Sequence, residues 1–194
     1  MNLKEQKQEL RREIKERISL LSSRYCEQAD QKIFDFAASL PEYMSSETIF
    51  CYVGTINEIN TVPIINDAMR KGKRVGIPKC VDKGIMEVYH IKTLENLKYS
   101  SYGILEPSTD LDLIPPSEID IAFIPCLACS TDCRRLGYGG GYYDRYLEFT
   151  KFPRAALCRG KLLTEQIPVD QHDQIMDFVI SEKGIISITN RMQD

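Results

Sequence analysis

The sequence predicts an α/β protein in one domain over residues 1–194. The expected architecture is a three-layer α/β/α sandwich whose central sheet is largely parallel, Rossmann-like, with antiparallel edge strands. Three observations predict it. Two amphipathic helical segments open the chain. Short apolar runs then alternate with helical stretches, the order that builds a parallel sheet covered on both faces. A glycine-rich stretch follows one of those runs, and sheets of this kind place their ligands beyond strand carboxyl ends.

Taken in order, Leu3, Leu10, Ile14, Ile18 and Leu21 form one apolar stripe at helical spacing, predicting a helix over 3–21. A second helix over 23–40 buries Ile33, Phe34 and Ala37 and stops before Pro41. Thr48 to Val53 is an unbroken apolar run of strand length, expected as a central strand that ends at Gly54. Thr61 can cap the next helix, with Pro63 in its first turn and Gly72 closing it. Arg74 to Pro78 reads as a strand, and Met86 to Ile91 alternates as a strand antiparallel to its neighbour. The passage with Tyr102 to Pro107 and Leu113 to Pro116 has no period and reads as ordered loop. Ile119 to Ile124 is the strand feeding the glycine stretch, followed by a helix over 142–149. Strands are expected at 154–158 and 177–180, with an edge strand at 184–188.

Composition narrows the function. A net charge of −3 steers the chain neither to nucleic acid nor to an anionic membrane, so any phosphate affinity is local. No apolar stretch approaches the roughly 20 residues of a membrane helix, and Met1 to Glu5 lack the apolar core of a signal peptide. The expected location is cytoplasmic. Seven scattered cysteines, an odd number, argue for reduced thiols rather than a disulfide framework.

The chemistry concentrates between Arg134 and Arg145, which hold four of the chain's eleven glycines. Glycine at this density permits positive φ and lets successive N–H groups converge on an anion. Arg134 and Arg135 can add charge-assisted hydrogen bonds to phosphate oxygens, and Asp144 offers the oxygen ligand that a phosphate-bound Mg²⁺ takes from protein. The dinucleotide pattern G-x-G-x-x-G fails, because Tyr142 stands where its third glycine belongs. The nucleotide P-loop fails as well, for want of a Gly-Lys-Ser/Thr triplet. A plain strand-to-helix turn is the bland alternative; the arginine pair, three tyrosines and Asp144 favour a functional loop.

Arg135-Leu136-Gly137-Tyr138-Gly139-Gly140-Gly141-Tyr142-Tyr143-Asp144-Arg145 resembles the signature of the 5-formyltetrahydrofolate cyclo-ligase family, also called 5,10-methenyltetrahydrofolate synthetases. The resemblance runs over nearly the whole chain, taking in the first helix, the Val53 to Glu58 loop, Gly103 to Pro107 and the region of Asp177. It implies an ATP- and Mg²⁺-dependent ligase that closes 5-formyltetrahydrofolate, with or without a polyglutamate tail, to 5,10-methenyltetrahydrofolate. It also implies the ligand sets. Lys7 and Arg11, four apart and otherwise readable as a solvated basic face, match an ATP-contacting pair. Arg135, Leu136, Gly137, Tyr138, Gly139, Gly140, Gly141, Tyr142 and Tyr143 complete the nucleotide site. Val53, Glu58 and the Tyr138 to Tyr142 loop bind the folate, with Tyr143 helping to pack the pterin. Glu58 by itself reads equally as a solvated loop carboxylate. Asp144 and Asp177 hold Mg²⁺, Asp177 being otherwise a turn residue, and Arg135, Tyr142 and Asp144 take the catalytic part. A monomer is expected. The sequence departs from the family between Pro125 and Arg134, where the family more often has a Gly after the Pro, then Phe-Asp and Gly-Asn; here Cys126, Cys129-Ser130 and Cys133-Arg134 stand instead.

Other constellations compete for the chemistry. Cys126, Cys129 and Cys133 form a C-x-x-C-x-x-x-C run, yet a structural zinc site needs four ligands and no fourth lies nearby; Cys158 or His172 would have to come from elsewhere. Buried or loop thiols are the plainer reading, a redox pair at Cys126 and Cys129 another. His172 lies between acidic neighbours, but without a G-x-S-x-G elbow no hydrolytic triad forms. Two further function classes stay open, a sugar-phosphate isomerase or acyl-transferase-like enzyme and a non-catalytic nucleotide sensor.

Overall fold

The computed structural model describes residues 1–100 and 103–188. Helix α1 (Leu3–Ser19) starts at a reciprocal cap, in which Asn2 Oδ1 accepts from the Glu5 N–H at 3.0 Å and Glu5 accepts from the Asn2 N–H at 2.9 Å. Helix α2 (Ser23–Ser39) buries Ala29, Ile33 and Ala37, spaced four apart on one face. Pro41 does more than end it. It opens a further short helix, α3 (Pro41–Ser45), at a first-turn position where its missing N–H costs nothing.

Strand β1 (Thr48–Cys51), helix α4 (Val62–Arg70) and strands β2 (Arg74–Asp82) and β3 (Ile85–Ile91) follow. Strand β2 runs four residues beyond Pro78. Its pairing with β1 ends at Gly76, so Pro78 has no donor to supply on that side, and the rest of the strand pairs antiparallel with β3. The region expected as loop contains a two-stranded ribbon of β4 (Leu97–Tyr99) and β5 (Leu105–Pro107). Tyr102 lies outside the described residues. Strand β6 (Ile121–Ile124) leads to β7 (Ala128–Ser130) and β8 (Arg135–Leu136), then α5 (Tyr142–Leu147), β9 (Arg154–Leu157), β10 (Leu163–Thr164), β11 (Phe178–Ser181) and β12 (Gly184–Ser187). Helix α5 is six residues long, two short of expectation, because the chain turns after Leu147, whose carbonyl accepts from the Thr150 N–H and from Arg154.

The main sheet has the order β12-β11-β9-β6-β1-β2-β3, parallel except at its two antiparallel edges. The expected three layers follow from strict alternation along the strands. Ile49, Cys51, Ile121, Phe123, Ala155, Leu157 and Ile180 pack with residues of α2, α3 and α4. Phe50, Ala122, Ile124, Ala156 and Val179 pack with Ile14 of α1 and Leu147 of α5. Tyr143 stacks on Phe50 at 6.0 Å between centroids, and Tyr146 meets the same ring edge-on at 5.6 Å, which seats α5 on the sheet. A separate three-stranded sheet, β10-β7-β8, absent from the sequence reading, carries the approach to the glycine stretch.

Strand order reverses between β1 and β6. From β1 the chain proceeds outward through β2 and β3, then returns to β6 on the other side and continues to β9, β11 and β12. Helices attached on opposite sides diverge at such a point and open a crevice beyond the carboxyl ends of the strands. Those ends are Tyr52-Val53-Gly54 and Pro125-Cys126.

Candidate active site

Arg135 is the hub of the crevice. Its side chain is only 3% exposed. Nη1 donates to the Pro125 carbonyl at the end of β6 (3.2 Å), Nη2 donates to Asp144 Oδ1 (2.8 Å), and the guanidinium lies over the Tyr143 ring at 5.7 Å. Its Nε is buried without a hydrogen-bond partner. An orphaned, buried N–H on a permanently charged group marks a position built to receive an acceptor.

The glycines beside it are packed for close approach. A Cβ on Gly137 would stand 2.8 Å from Arg135 Nη1, and one on Gly141 would stand 2.7 Å from Arg145 Nη1. Gly139 (φ 103°) and Gly141 (φ 67°) lie in the left-handed region that other residues avoid, and Gly141 forms the start of α5. Arg145 secures the far side, donating to the carbonyls of Gly140 (2.6 Å) and Gly84 (2.8 Å). Arg11 reaches across from α1 and donates from Nε to the Gly137 carbonyl at 2.9 Å.

Lys7, one turn earlier on α1, is held by Asp170 (3.0 Å) and Asp173 (2.5 Å). Burial pulls its pKa down, but hydrogen bonds and charge from those carboxylates outweigh that and leave it above the ordinary lysine value. Asp170 is correspondingly lowered, first by the His172 N–H and then by Lys7. His172 thus serves the turn through its backbone. Arg134 pairs with Asp132 at 3.9 Å in the β7–β8 connection. Asp144 accepts from Arg135 and, at 3.3 Å, from the Gln174 N–H. Asp177 accepts from the Arg154 N–H at 2.8 Å, at the amino-terminal starts of β9 and β11. The expected pairing of Asp144 with Asp177 on one cation therefore does not form: Asp177 sits at the opposite end of the strands from the crevice, and Gln174, accepting from Arg154 Nη1, lies between the two networks.

On the opposite wall, Val53 is buried and Glu58 accepts from the Thr55 N–H at 2.9 Å. Tyr138, almost half exposed, directs its hydroxyl to Glu58. Desolvation of that end and the charge of Glu58 push the phenol up. Thr61 occupies the N-cap position of α4 as expected, but its side chain makes no cap bond. Its hydroxyl donates to the Tyr52 carbonyl (2.5 Å) and accepts from the Gly54 N–H (3.1 Å), tying the exit of β1 to the helix start.

Arg159, absent from the sequence reading, supports this wall. It is 4% exposed, grips Asp30 with two bonds of 2.8 and 2.9 Å, and donates to the carbonyls of Glu58 (2.7 Å) and Asn57 (3.3 Å). The loop it supports lines a cavity of about 690 Å³ shared with α1 and α2, within the size range of small-molecule sites. The one signal for it in the sequence is a charged residue directly after the apolar run of β9. Its partner Asp30 is 129 residues away.

Fold and site together define a doubly wound α/β protein with a glycine-built, arginine-backed cradle at the point where strand order reverses. Comparisons with known proteins specify the family. The profile of the 5-formyltetrahydrofolate cyclo-ligase family matches residues 3–182. A Schizosaccharomyces pombe protein named a probable 5-formyltetrahydrofolate cyclo-ligase is 30% identical, covering 96% of this chain and 98% of its own, and the mouse 5-formyltetrahydrofolate cyclo-ligase is 29% identical over 91% and 93%. The solved 5,10-methenyltetrahydrofolate synthetase of Aquifex aeolicus superposes with a TM-score of 0.82 at 27% identity, covering 94% of this chain and 92% of that one. The chain belongs to the 5-formyltetrahydrofolate cyclo-ligase family.

Proposed function

We propose that this chain is an ATP- and Mg²⁺-dependent ligase that cyclises 5-formyltetrahydrofolate to 5,10-methenyltetrahydrofolate, releasing ADP and phosphate, as a monomeric cytoplasmic enzyme of one domain. The observation that carries the reading is Arg135, buried at the crossover of strand order with an unpartnered Nε and glycine backbone on one side. Family membership supplies the substrate class.

An N-formyl group is amide-like and resists attack by a neighbouring amine. Mg²⁺-ATP supplies the terminal phosphoryl group that converts the formyl oxygen into a leaving group, so that the folate's amine at position 10 can displace it. The protein's part is positioning and charge neutralisation. The amides of Gly137, Tyr138, Gly139, Gly140 and Gly141 line the phosphate path next to Leu136, and Arg135 Nε donates to a phosphate oxygen. Arg11, anchored on Gly137, and Lys7 add positive charge from α1. Asp144 is the oxygen donor for Mg²⁺, its Oδ1 held by a guanidinium and an amide. Tyr142, Tyr143 and Val53 pack the pterin, and Glu58, fixed through Arg159 and Tyr138, accepts from its N–H edge. No described helix is long and apolar enough to cross a membrane.

The test follows methenyl-folate absorbance with purified protein, 5-formyltetrahydrofolate, ATP and Mg²⁺. Signal that requires all four components is expected. Equal turnover without nucleotide, or a silent but folded protein that binds ATP and not folate, would overturn the reading in favour of an ATP-independent enzyme or a nucleotide sensor.

A further inference from the structure

The thiols of Cys126, Cys129 and Cys158 converge. Cys126 and Cys129 leave the end of β6 and enter β7, while Cys158 follows β9, and all three Sγ atoms lie within 4.8 Å of one another. The Cys126 and Cys129 sulfurs are 3.4 Å apart. Cys129 and Cys158 are buried, and Cys126 is half-buried. Cys133, third member of the sequence run, is not part of the group; its thiol points to the Ile186 carbonyl at 4.0 Å. The three-dimensional cluster therefore differs from the one the spacing suggested.

We propose that Cys126, Cys129 and Cys158 form a three-coordinate thiolate site for a soft d¹⁰ cation, Cu⁺ in preference to Zn²⁺. Metal–sulfur bonds of about 2.3 Å in one plane set the sulfurs about 4 Å apart, so the observed cluster closes on an ion with shifts smaller than a bond length. Among the described residues no His, Asp or Glu joins the group as a fourth ligand. Zn²⁺ in a structural site demands four ligands, whereas soft thiolates select Cu⁺ without that requirement. Binding replaces three S–H bonds by three metal–sulfur bonds and releases three protons to solvent, leaving a net charge of −2. Arg135, bonded to the carbonyl next to Cys126, sets positive charge beside it. The sulfurs join the ends of two neighbouring parallel strands, β6 and β9, to the small sheet, so an ion there would cross-link the floor beneath the glycine stretch. The proposal does not rest on the folate reading.

The experiment titrates the reduced, metal-free full chain with Cu⁺ anaerobically against a competing chelator, and separately with Zn²⁺, following sulfur-to-metal charge-transfer absorbance in the ultraviolet. One Cu⁺ per chain is expected, held more tightly than Zn²⁺. Cys126→Ser, at the half-buried position least able to disturb folding, should weaken binding more than about 100-fold, beyond what loss of an outer-shell partner costs. Cys129→Ser and Cys158→Ser should do the same, and Cys133→Ser should leave affinity within twofold. Absence of a charge-transfer band in folded protein, Zn²⁺ held as tightly as Cu⁺, or Cys133→Ser as damaging as Cys126→Ser would each overturn the assignment.

Discussion

Gly137→Ala separates the geometry of the cradle from the stability of the fold. Gly137 does not have a positive φ, so alanine suits its backbone. The added carbon would stand 2.8 Å from Arg135 Nη1 and 3.4 Å from its Cζ and Nη2, where ordinary contact begins at 3.4 Å. The guanidinium must retreat by about 0.6 Å, yet it is pinned between the Pro125 carbonyl and Asp144. A misplacement of about 1 Å costs on the order of 10²-fold in rate, so a loss of about 10- to 100-fold in kcat/KM is expected. Stability should change by no more than about 1 kcal/mol, because the lower entropy of the unfolded alanine chain offsets mild overpacking. Gly72→Ala should show the reverse pattern. At φ 73° with open space around it, it costs about 1 kcal/mol of backbone strain and leaves the rate untouched. Urea transitions and initial rates of methenyl-folate formation measure both quantities. Full turnover by a well-folded Gly137→Ala protein would refute the claim that the position of Arg135 limits the reaction.

Three further outcomes are expected. Asp144→Asn should keep the fold and lose about 10²- to 10³-fold in Mg²⁺-dependent turnover, the scale of a lost charge-stabilising group; an unchanged rate at limiting Mg²⁺ rejects its role. Gly54→Ala would bring a Cβ to 2.0 Å from the Ile59 carbonyl oxygen, forcing apart the loop that carries Glu58. It should cost about 1–3 kcal/mol in urea denaturation and raise KM for the folate more than it lowers kcat, and a raised KM for ATP alone would contradict the placement of Glu58. Lys7→Met should cost about 1 kcal/mol at neutral pH, a value set by solvent screening of partly exposed charges. Asp170 has a lowered pKa, so its share of that stability is present above the ordinary carboxylate range and fades as pH falls through the lowered value. Lys7 has a raised pKa, so its share persists up to the ordinary lysine value and fades above it. A stability difference between wild type and Lys7→Met that stayed constant down to about pH 2, well below the ordinary carboxylate range, would show that the ion pair with these carboxylates is not its source.

Much of the architecture was legible because it is written in local periodicity. Ile121 to Ile124 and Arg154 to Leu157 announce strands buried on both faces, and the antiparallel hairpin at Met86 to Ile91 showed in its alternation; on α2 the expected Ile33 and Ala37 are buried, while Phe34 is only partly buried and Ala29 completes the face instead. The loop from Gly137 to Gly141 stood out because glycine is costly unless backbone conformation or close approach requires it. Local pattern misled where a side chain found a distant partner. Thr61 has the residue type of a helix cap, but the exit of β1 offered its hydroxyl a carbonyl and an amide that no window around Thr61 contains.

The sequence alone determined the class of fold, the place of the glycine stretch within it and the family to which the chain belongs, since each depends on residues close together along the chain. Only the tertiary structure decided that Arg159 holds the Glu58 loop through Asp30, that Lys7 is bound by Asp170 and Asp173, and that Cys158 rather than Cys133 completes the thiol cluster. Those pairings join residues tens to more than a hundred positions apart, brought together by strand order, and strand order leaves no periodic trace in any single segment.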